Sequence, residues 1–189
     1  MSYLLDIVGS TAVATAIIFM VFQFNNRVSD SSGEVLLSTM TQRDAITCAE
    51  IIQYDIYKMG FNVPGSSVSS ADSNSIKFYT DLDNDGNRDS IEYFLGSKKD
   101  LASTTNPNDK PMLRKLNDDK AYNIINVTEF EISYFDSVGS EITSAQLLNQ
   151  SARDRISTIS VYLRSESIEP IDTLYQGIDL LRVIRPKNL

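Results

Sequence analysis

The strongest pattern in the chain is an uncharged, mostly apolar run near its start, from Ile7 to Asn26. It reads IVGSTAVATAIIFMVFQFNN, and a helix of roughly 20 residues spans about 30 Å, the thickness of the hydrocarbon core of a bilayer. The alternative is a buried helix of a soluble domain, which is typically shorter and shows a polar face. The run therefore predicts a helix that lies in a membrane or in the core of a filament.

Helical spacing resumes after a polar segment. Residues 25–33, NNRVSDSSG, are rich in helix-weakening residues and predict a kink or a melted turn. From Val35 to Met59 apolar residues recur near helical spacing, and Gly60 is placed to end the helix. We therefore expect an N-terminal segment over 1–33 and a globular head over 34–189 that begins with a helix over 34–60. The apolar positions of that helix are Leu36, Met40, Ile46, Ala49, Ile52, Ile56 and Met59.

The remainder of the chain alternates apolar and polar positions and is rich in β-branched and aromatic residues, which predicts strands. Near Glu129 and Phe130 the alternation slips once, which predicts a β-bulge. The segments Gly60–Asn74 and Lys98–Lys110 are polar and turn-rich and predict loops. The predicted fold class is α+β, with a long N-terminal helix packed on an antiparallel β-sheet head. The predicted strands are Ser75–Leu82, Ser90–Gly96, Met112–Leu116, Asn126–Asp136, Arg155–Ser165 and Ile178–Ile184.

Composition narrows the range of functions. The chain has 189 residues, with 17 bases, 25 acids and a formal net charge of −8, which argues against nucleic acid or an anionic lipid surface as the main partner. It contains no histidine, so a histidine base, a histidine metal ligand and a Ser-His-Asp arrangement are excluded. Cys48 is the lone cysteine; we interpret it as a small buried side chain, with a functional thiol as the alternative.

The segment Asp81–Glu92, DLDNDGNRDSIE, is the stretch most able to carry chemistry. It has carboxylates at positions 1, 3, 5, 9 and 12 and glycine at position 6, which is the spacing of a calcium-binding loop. In this interpretation Asn87 contributes its carbonyl and Glu92 closes the shell as a bidentate ligand. The predicted cofactor is Ca²⁺, and its predicted ligands are Asp81, Asp83, Asp85, Asn87, Asp89 and Glu92.

Two other interpretations of this segment remain open. Its neighbours are predicted strands rather than helices, so it is also typical of a hairpin whose turn is formed by Asn84, Asp85 and Gly86. Acids this close repel one another without a counterion, which favours a metal, whereas a hairpin end exposed to water tolerates them. A paired-carboxylate hydrolase site is the third interpretation, but nothing else in the sequence suggests a substrate cleft.

Several segments, taken in order, resemble one family. An apolar N-terminal helix with an acid in its first turn is followed by IIQYDIYKMGFNV, IKFYTDLDNDGNRDSIEYFLG, NVTEFEISYFDSVG, RISTISVYLRS and LRVIRPKNL. This order resembles type IV pilin-like proteins over nearly the whole chain, and is most similar to the W-type minor pilins and the J-type pseudopilins of type II secretion. The resemblance implies a lollipop-shaped subunit, with a long helix in a filament core and a β-rich head on the filament surface.

In that family a glutamate at position 5 of the mature helix pairs with the N-terminal ammonium of a neighbouring subunit. Removal of Met1 would leave Ser2 first and place Asp6 at the fifth position, an aspartate where the family has glutamate. A carboxylate among apolar side chains is costly unless it is paired, and a neighbour's amine is an available partner. The alternative is an ordinary first-turn acid at the lipid headgroups. The predicted assembly residues are therefore Asp6 and Ser2.

Together these features predict a non-catalytic structural subunit of a type IV pilus-like or type II secretion pseudopilus-like filament. Its expected partners are copies of itself or other pilin-like subunits, and the inner membrane before assembly. The expected location is the bacterial cell envelope, with an extracytoplasmic head, or an extracellular filament. The alternative is a membrane-anchored extracellular calcium-binding adhesion module that never polymerises. An enzyme is not expected.

Overall fold

The computed structural model describes residues 2–101, 104–170 and 173–189. Its first element, helix α1, runs without interruption from Ser2 to Lys58. The melted turn predicted over 25–33 is wrong, because the helix is continuous there. Weak helix formers cost only about 0.5 to 1 kcal/mol each, which a long helix tolerates. The hydroxyl of Ser32 donates to the carbonyl oxygen of Val28 at 2.7 Å, so this polar side chain is satisfied within the helix.

The chain divides into two compact units, residues 1–39 and residues 40–189. In the first unit most large apolar side chains of α1 are exposed, from 47 % at Val28 to 83 % at Tyr3. The helix contains an 18-residue window of mean hydropathy 2.1, none of which is buried. By length and composition it is able to cross a membrane. The structure thus confirms a long apolar N-terminal helix.

In the second unit α1 buries one face. Met40 and Ile46, predicted to be part of the apolar face, are instead exposed, and so is Leu36, which lies in the first unit. The buried face contains two alanines and a cysteine, and small side chains let a helix approach its neighbours closely. The helix ends at Lys58, and Gly60 has a φ of +78°, so the predicted helix stop is confirmed. The buried apolar residues on this face are Ala45, Cys48, Ala49, Ile52 and Ile56, and Met59 is buried just after the helix.

The strands in the described part of the chain form two antiparallel sheets, each with its strands in chain order. The first sheet has five strands, β1 to β5, and the second has three, β6 to β8. Helix α1 packs against this β-structure, so the α+β architecture expected from the sequence is confirmed. The strands are β1 Val68–Asp72, β2 Ser75–Thr80, β3 Asp89–Leu95, β4 Lys110–Leu116, β5 Tyr122–Val127, β6 Glu129–Phe135, β7 Thr158–Glu166 and β8 Gly177–Ile184. The short helices are α2 Ser144–Leu147 and α3 Gln150–Arg153, and residues Lys98–Asp100 form one 3₁₀ turn.

Each predicted strand overlaps an observed one, but the predicted bulge at Glu129 and Phe130 is wrong. The chain leaves the first sheet after Val127 and enters the second at Glu129, so the slip in alternation marks a change of sheet. Strand β1 lies within a segment that was predicted to be a loop. Its sequence, VSSAD, has little β-propensity, so the strand depends on its pairing with β2. Most of β5 was likewise not predicted.

A buried ion pair connects α1 to the first sheet. The carboxylate of Asp55, on α1, accepts a hydrogen bond from Nε of Arg114 on β4 at 2.7 Å. The same carboxylate oxygen accepts from the hydroxyl of Tyr93, and Nη1 of Arg114 donates to the hydroxyl of Tyr122 at 2.8 Å. The exposed fractions of the Asp55 and Arg114 side chains are 3 % and 11 %. The two charges are therefore almost fully removed from water.

The pKa values around this pair follow from burial and charge. Burial by itself lowers the pKa of the Arg114 guanidinium, but the hydrogen bond and negative charge of Asp55 raise it above its usual value. Burial, followed by the charge of Asp55, raises the pKa of the Tyr93 hydroxyl. Arg114 therefore stays charged and Tyr93 stays a neutral donor, which is the combination that satisfies Asp55.

We expect Arg114→Met to lower the free energy of unfolding by about 3 to 5 kcal/mol, because the charge of Asp55 would remain buried without its partner. Urea unfolding of the full chain in detergent, followed by tyrosine fluorescence, measures this loss. Arg155→Met, at an exposed position before β7, is the matched control and should change stability by less than about 0.5 kcal/mol. Replacing both charges, in Asp55→Leu with Arg114→Met, should recover part of the loss. If Arg114→Met and the control lowered the free energy of unfolding equally, the result would contradict a stabilising interaction between Asp55 and Arg114.

Candidate metal centre

The segment predicted to bind calcium closes the hairpin between β2 and β3. These strands pair antiparallel in register up to Thr80 and Asp89, so the loop between them is residues 81–88. Asn84 and Gly86 have φ values of +63° and +85°, a backbone conformation that favours asparagine and glycine. The loop is therefore flanked by strands, and the predicted turn residues Asn84, Asp85 and Gly86 lie exposed within it.

Asp81 lies at the base of the loop and is 1 % exposed. Its Oδ2 accepts hydrogen bonds from Nδ2 of Asn62 at 2.7 Å and from the backbone N–H of Gly86 at 3.1 Å. Its Oδ1 is buried and has no hydrogen-bond partner among the described residues. Since buried carboxylate oxygens are normally satisfied, this oxygen is an exception that calls for a physical explanation.

Two further carboxylates approach Asp81. One oxygen from each of Asp81, Asp83 and Asp89 lies within 4.8 Å of the other two. Asp83 is exposed and Asp89 is half-buried. Both oxygens of Asp89 have donors, namely the backbone N–H of Leu82 at 2.9 Å and Nδ2 of Asn117 at 2.8 Å. These bonds orient Asp89, and they leave its second lone pairs available to a cation.

Asp85 and Asn87, two other predicted ligands, are bonded to each other. Oδ1 of Asp85 accepts from the backbone N–H of Asn87 at 2.7 Å, and Oδ2 accepts from its Nδ2 at 2.8 Å. These hydrogen bonds lower the pKa of the Asp85 carboxyl below its usual value. The pair forms a turn at the exposed end of the loop, and the backbone N–H of Asp85 also donates to Oδ1 of Asp83 at 3.1 Å.

Glu92, the last predicted ligand, lies within β3, beyond the loop. It is in register with Lys77 on β2 and with Lys115 on β4. Opposite charges on neighbouring strands are a common stabilising arrangement in antiparallel sheets. Of the six predicted ligands, the structure thus brings together Asp81, Asp83 and Asp89, and it places the other three elsewhere.

The base of the loop is hydrogen-bonded to the end of α1. The hydroxyl of Thr80 donates to the carbonyl oxygen of Lys58 at 2.8 Å, and Nζ of Lys58 donates to the carbonyl oxygen of Leu82 at 3.1 Å. The backbone N–H of Asp81 donates to the carbonyl oxygen of Phe61 at 2.9 Å. Local sequence patterns do not predict these contacts, because the contacts join segments about 20 residues apart.

The predicted assembly residues lie at the start of α1. The prediction of an acid in the first turn of the helix is wrong, because α1 begins at Ser2 and Asp6 falls in its second turn. The side chain of Asp6 is exposed, and its backbone carbonyl accepts a hydrogen bond from the hydroxyl of Ser10. Met1 and the side chain of Ser2 lie outside the described residues, so the predicted role of Ser2 stays a prediction.

Cys48 lies in the core and is 1 % exposed. Burial raises the pKa of its thiol to about 12, so the reactive thiolate form is disfavoured at neutral pH. The position supports the interpretation of Cys48 as a small packing residue rather than a functional thiol.

Comparison of the chain with protein families, with characterised proteins and with solved structures gave no match.

We expect Asn62→Gly to destabilise the protein by about 1 to 2 kcal/mol, because it removes a hydrogen bond to a buried carboxylate. The backbone itself should tolerate glycine, since Asn62 has a φ of +53°. Urea unfolding with a chelator present measures the effect. Asn84→Gly, at an exposed position with φ of +63°, is the matched control and should be nearly neutral. If the two variants are equally stable, the bond from Asn62 contributes little.

Proposed function

We propose that the chain is a non-catalytic structural subunit, held in a membrane by α1 and assembled through the same helix into a type IV pilus-like or type II secretion pseudopilus-like filament. The observation that carries the proposal is the exposure of the apolar half of α1. A helix that is apolar on all sides needs an apolar surrounding, either lipid or other helices. Lipid before assembly and neighbouring helices afterwards supply that surrounding to the same side chains.

The architecture is also of the kind that the resemblance to type IV pilin-like proteins implies. A long apolar helix leads into a head built on antiparallel sheets, and the second half of the helix packs in the core of that head. Such a subunit presents its polar head to water while the helix is covered. We accordingly propose copies of itself or other pilin-like subunits as its partners, and the bacterial cell envelope or an extracellular filament as its location.

Asp6 is the residue that we propose to direct assembly. Its neighbours Leu5 and Ile7 are 72 % and 64 % exposed, so any apolar surrounding that covers them also approaches the Asp6 carboxylate. An unpaired charge in such a surrounding is unfavourable by several kcal/mol. The N-terminal ammonium of a neighbouring subunit would remove that penalty. Correct pairing would then be a condition for packing the helices.

A second candidate function is a membrane-anchored calcium-binding module that never polymerises. The unpartnered oxygen of Asp81 favours its calcium component. The two functions differ in assembly, so the particle size of the purified full chain in detergent separates them. A single subunit at every protein concentration would contradict the filament proposal, and concentration-dependent oligomers or fibres would contradict the isolated module.

We expect Asp6→Lys to abolish assembly, because a lysine would repel a neighbour's ammonium instead of pairing with it. Electron microscopy and sedimentation of the full chain measure assembly. The thermal midpoint of the head should stay unchanged, since Asp6 lies in the unit 1–39 and the folded core in the unit 40–189.

Asp30→Lys is the matched control, because it makes the same change of charge at an exposed position of the same helix, outside the uncharged run. We expect this variant to assemble. Normal assembly of Asp6→Lys would contradict the proposed pairing, whereas failure of both variants would show that net charge, and not the position of Asp6, controls assembly.

A further inference from the structure

We propose that Asp81, Asp83 and Asp89 bind one calcium ion, and that this ion fastens the β2–β3 hairpin to the end of α1. The site lies inside the head, so the inference does not depend on whether the subunits assemble. It also differs from the site that the loop spacing predicts, because Asp85, Asn87 and Glu92 are not among the ligands.

Oδ1 of Asp81 is the atom on which the proposed site depends. This oxygen is buried and unpartnered among the described residues, while its carboxylate lies in the same cluster as those of Asp83 and Asp89. A buried charge with an unsatisfied oxygen is unfavourable unless a donor or a cation reaches it. A cation bound between the three carboxylates would satisfy Oδ1 and remove their mutual repulsion.

The nearby basic side chains are engaged elsewhere. The ammonium of Lys58 donates to the carbonyl oxygen of Leu82 and lies 5.1 Å from the centre of the Tyr54 ring. The guanidinium of Arg88 lies over the ring of Tyr79 at 3.9 Å. Within the described ranges, no salt bridge joins a lysine or arginine to the three carboxylates. The negative charge of the three carboxylates is therefore available to a bound cation.

The chemistry of the cluster points to calcium. Three carboxylates supply three to six oxygens, and water can complete the six to eight that calcium takes, because Asp83 is exposed. Calcium–oxygen distances of about 2.4 Å place opposite ligands about 5 Å apart, and the cluster atoms lie within 4.8 Å of one another. Magnesium has shorter bonds and gives up its waters reluctantly, so it suits such an open cluster less well.

Binding would act on the end of α1 through the bonds that already join the two segments. Asp81 contacts Phe61 through its backbone and Asn62 through its side chain, and the adjacent Thr80 is bonded to Lys58. A cation that holds Asp81 in place would therefore limit the opening of residues 58–62. Slower amide exchange in this segment is the expected signature, and it would be absent if calcium bound only to the exposed tip of the loop.

The test uses the full chain in detergent, titrated with calcium chloride in a calorimeter and melted with and without calcium. We expect saturable binding, and a thermal midpoint that rises by about 5 to 10 °C at a 100-fold excess of calcium over the dissociation constant. Asp83→Asn should weaken binding by at least about tenfold without unfolding the chain, since Asp83 is exposed. Asp85→Asn and Glu92→Gln are the matched controls, because each removes one nearby negative charge, and their affinity should stay within about threefold of the parent.

Three results would overturn the inference. The first is no heat and no thermal shift at millimolar calcium. The second is an unchanged affinity in Asp83→Asn. The third is a loss of calcium affinity in the two controls as large as the loss in Asp83→Asn. That result would show that calcium is bound by another set of ligands. None of these measurements depends on assembly, so failure of the calcium site and failure of the filament proposal are distinguishable.

Discussion

Helix α1 is continuous, but its two parts have different surfaces. The rest of the structure depends on this difference. The large apolar side chains of the first part of α1 are mostly exposed, which is typical of a helix that lipid or other helices cover. Its second part is apolar on one face, which is covered by the β-structure of the head. The change occurs without a break in the helix.

A polar residue also constrains how the second part of α1 contacts the sheets. Apolar packing alone allows a helix to rotate slightly at small cost, since many arrangements bury similar areas. Asp55 removes that freedom, because its carboxylate is satisfied only where it meets Arg114 and Tyr93. The buried pair need not add stability relative to an apolar pair, but both charges are satisfied only where these two side chains meet.

Local patterns were sufficient to predict the long helix, its end at Gly60 and the positions of six strands, because spacing and turn chemistry are properties of neighbouring residues. They were insufficient wherever contacts between residues distant in the sequence determine the structure. Strand β1 is held by β2, and the face of α1 that is buried follows from the packing of Ala45 and Cys48 rather than of the larger Ile46. In the loop, sequence spacing predicts both Asp81 and Glu92 as metal ligands. The register of β3 instead places Glu92 beside Lys77 and Lys115.

The contacts around Gly60 determine how the head would carry a mechanical load. A β-carbon there would lie 2.7 Å from the carbonyl oxygen of Asn188, and Lys187 lies over the ring of Tyr57 at 4.9 Å, so the end of the chain returns to the end of α1. The backbone N–H of Gly60 also donates to the carbonyl oxygen of Tyr79 at 2.9 Å. A pull on α1 would thus be shared between β2 and the C-terminal tail, instead of peeling one strand from the edge of a sheet.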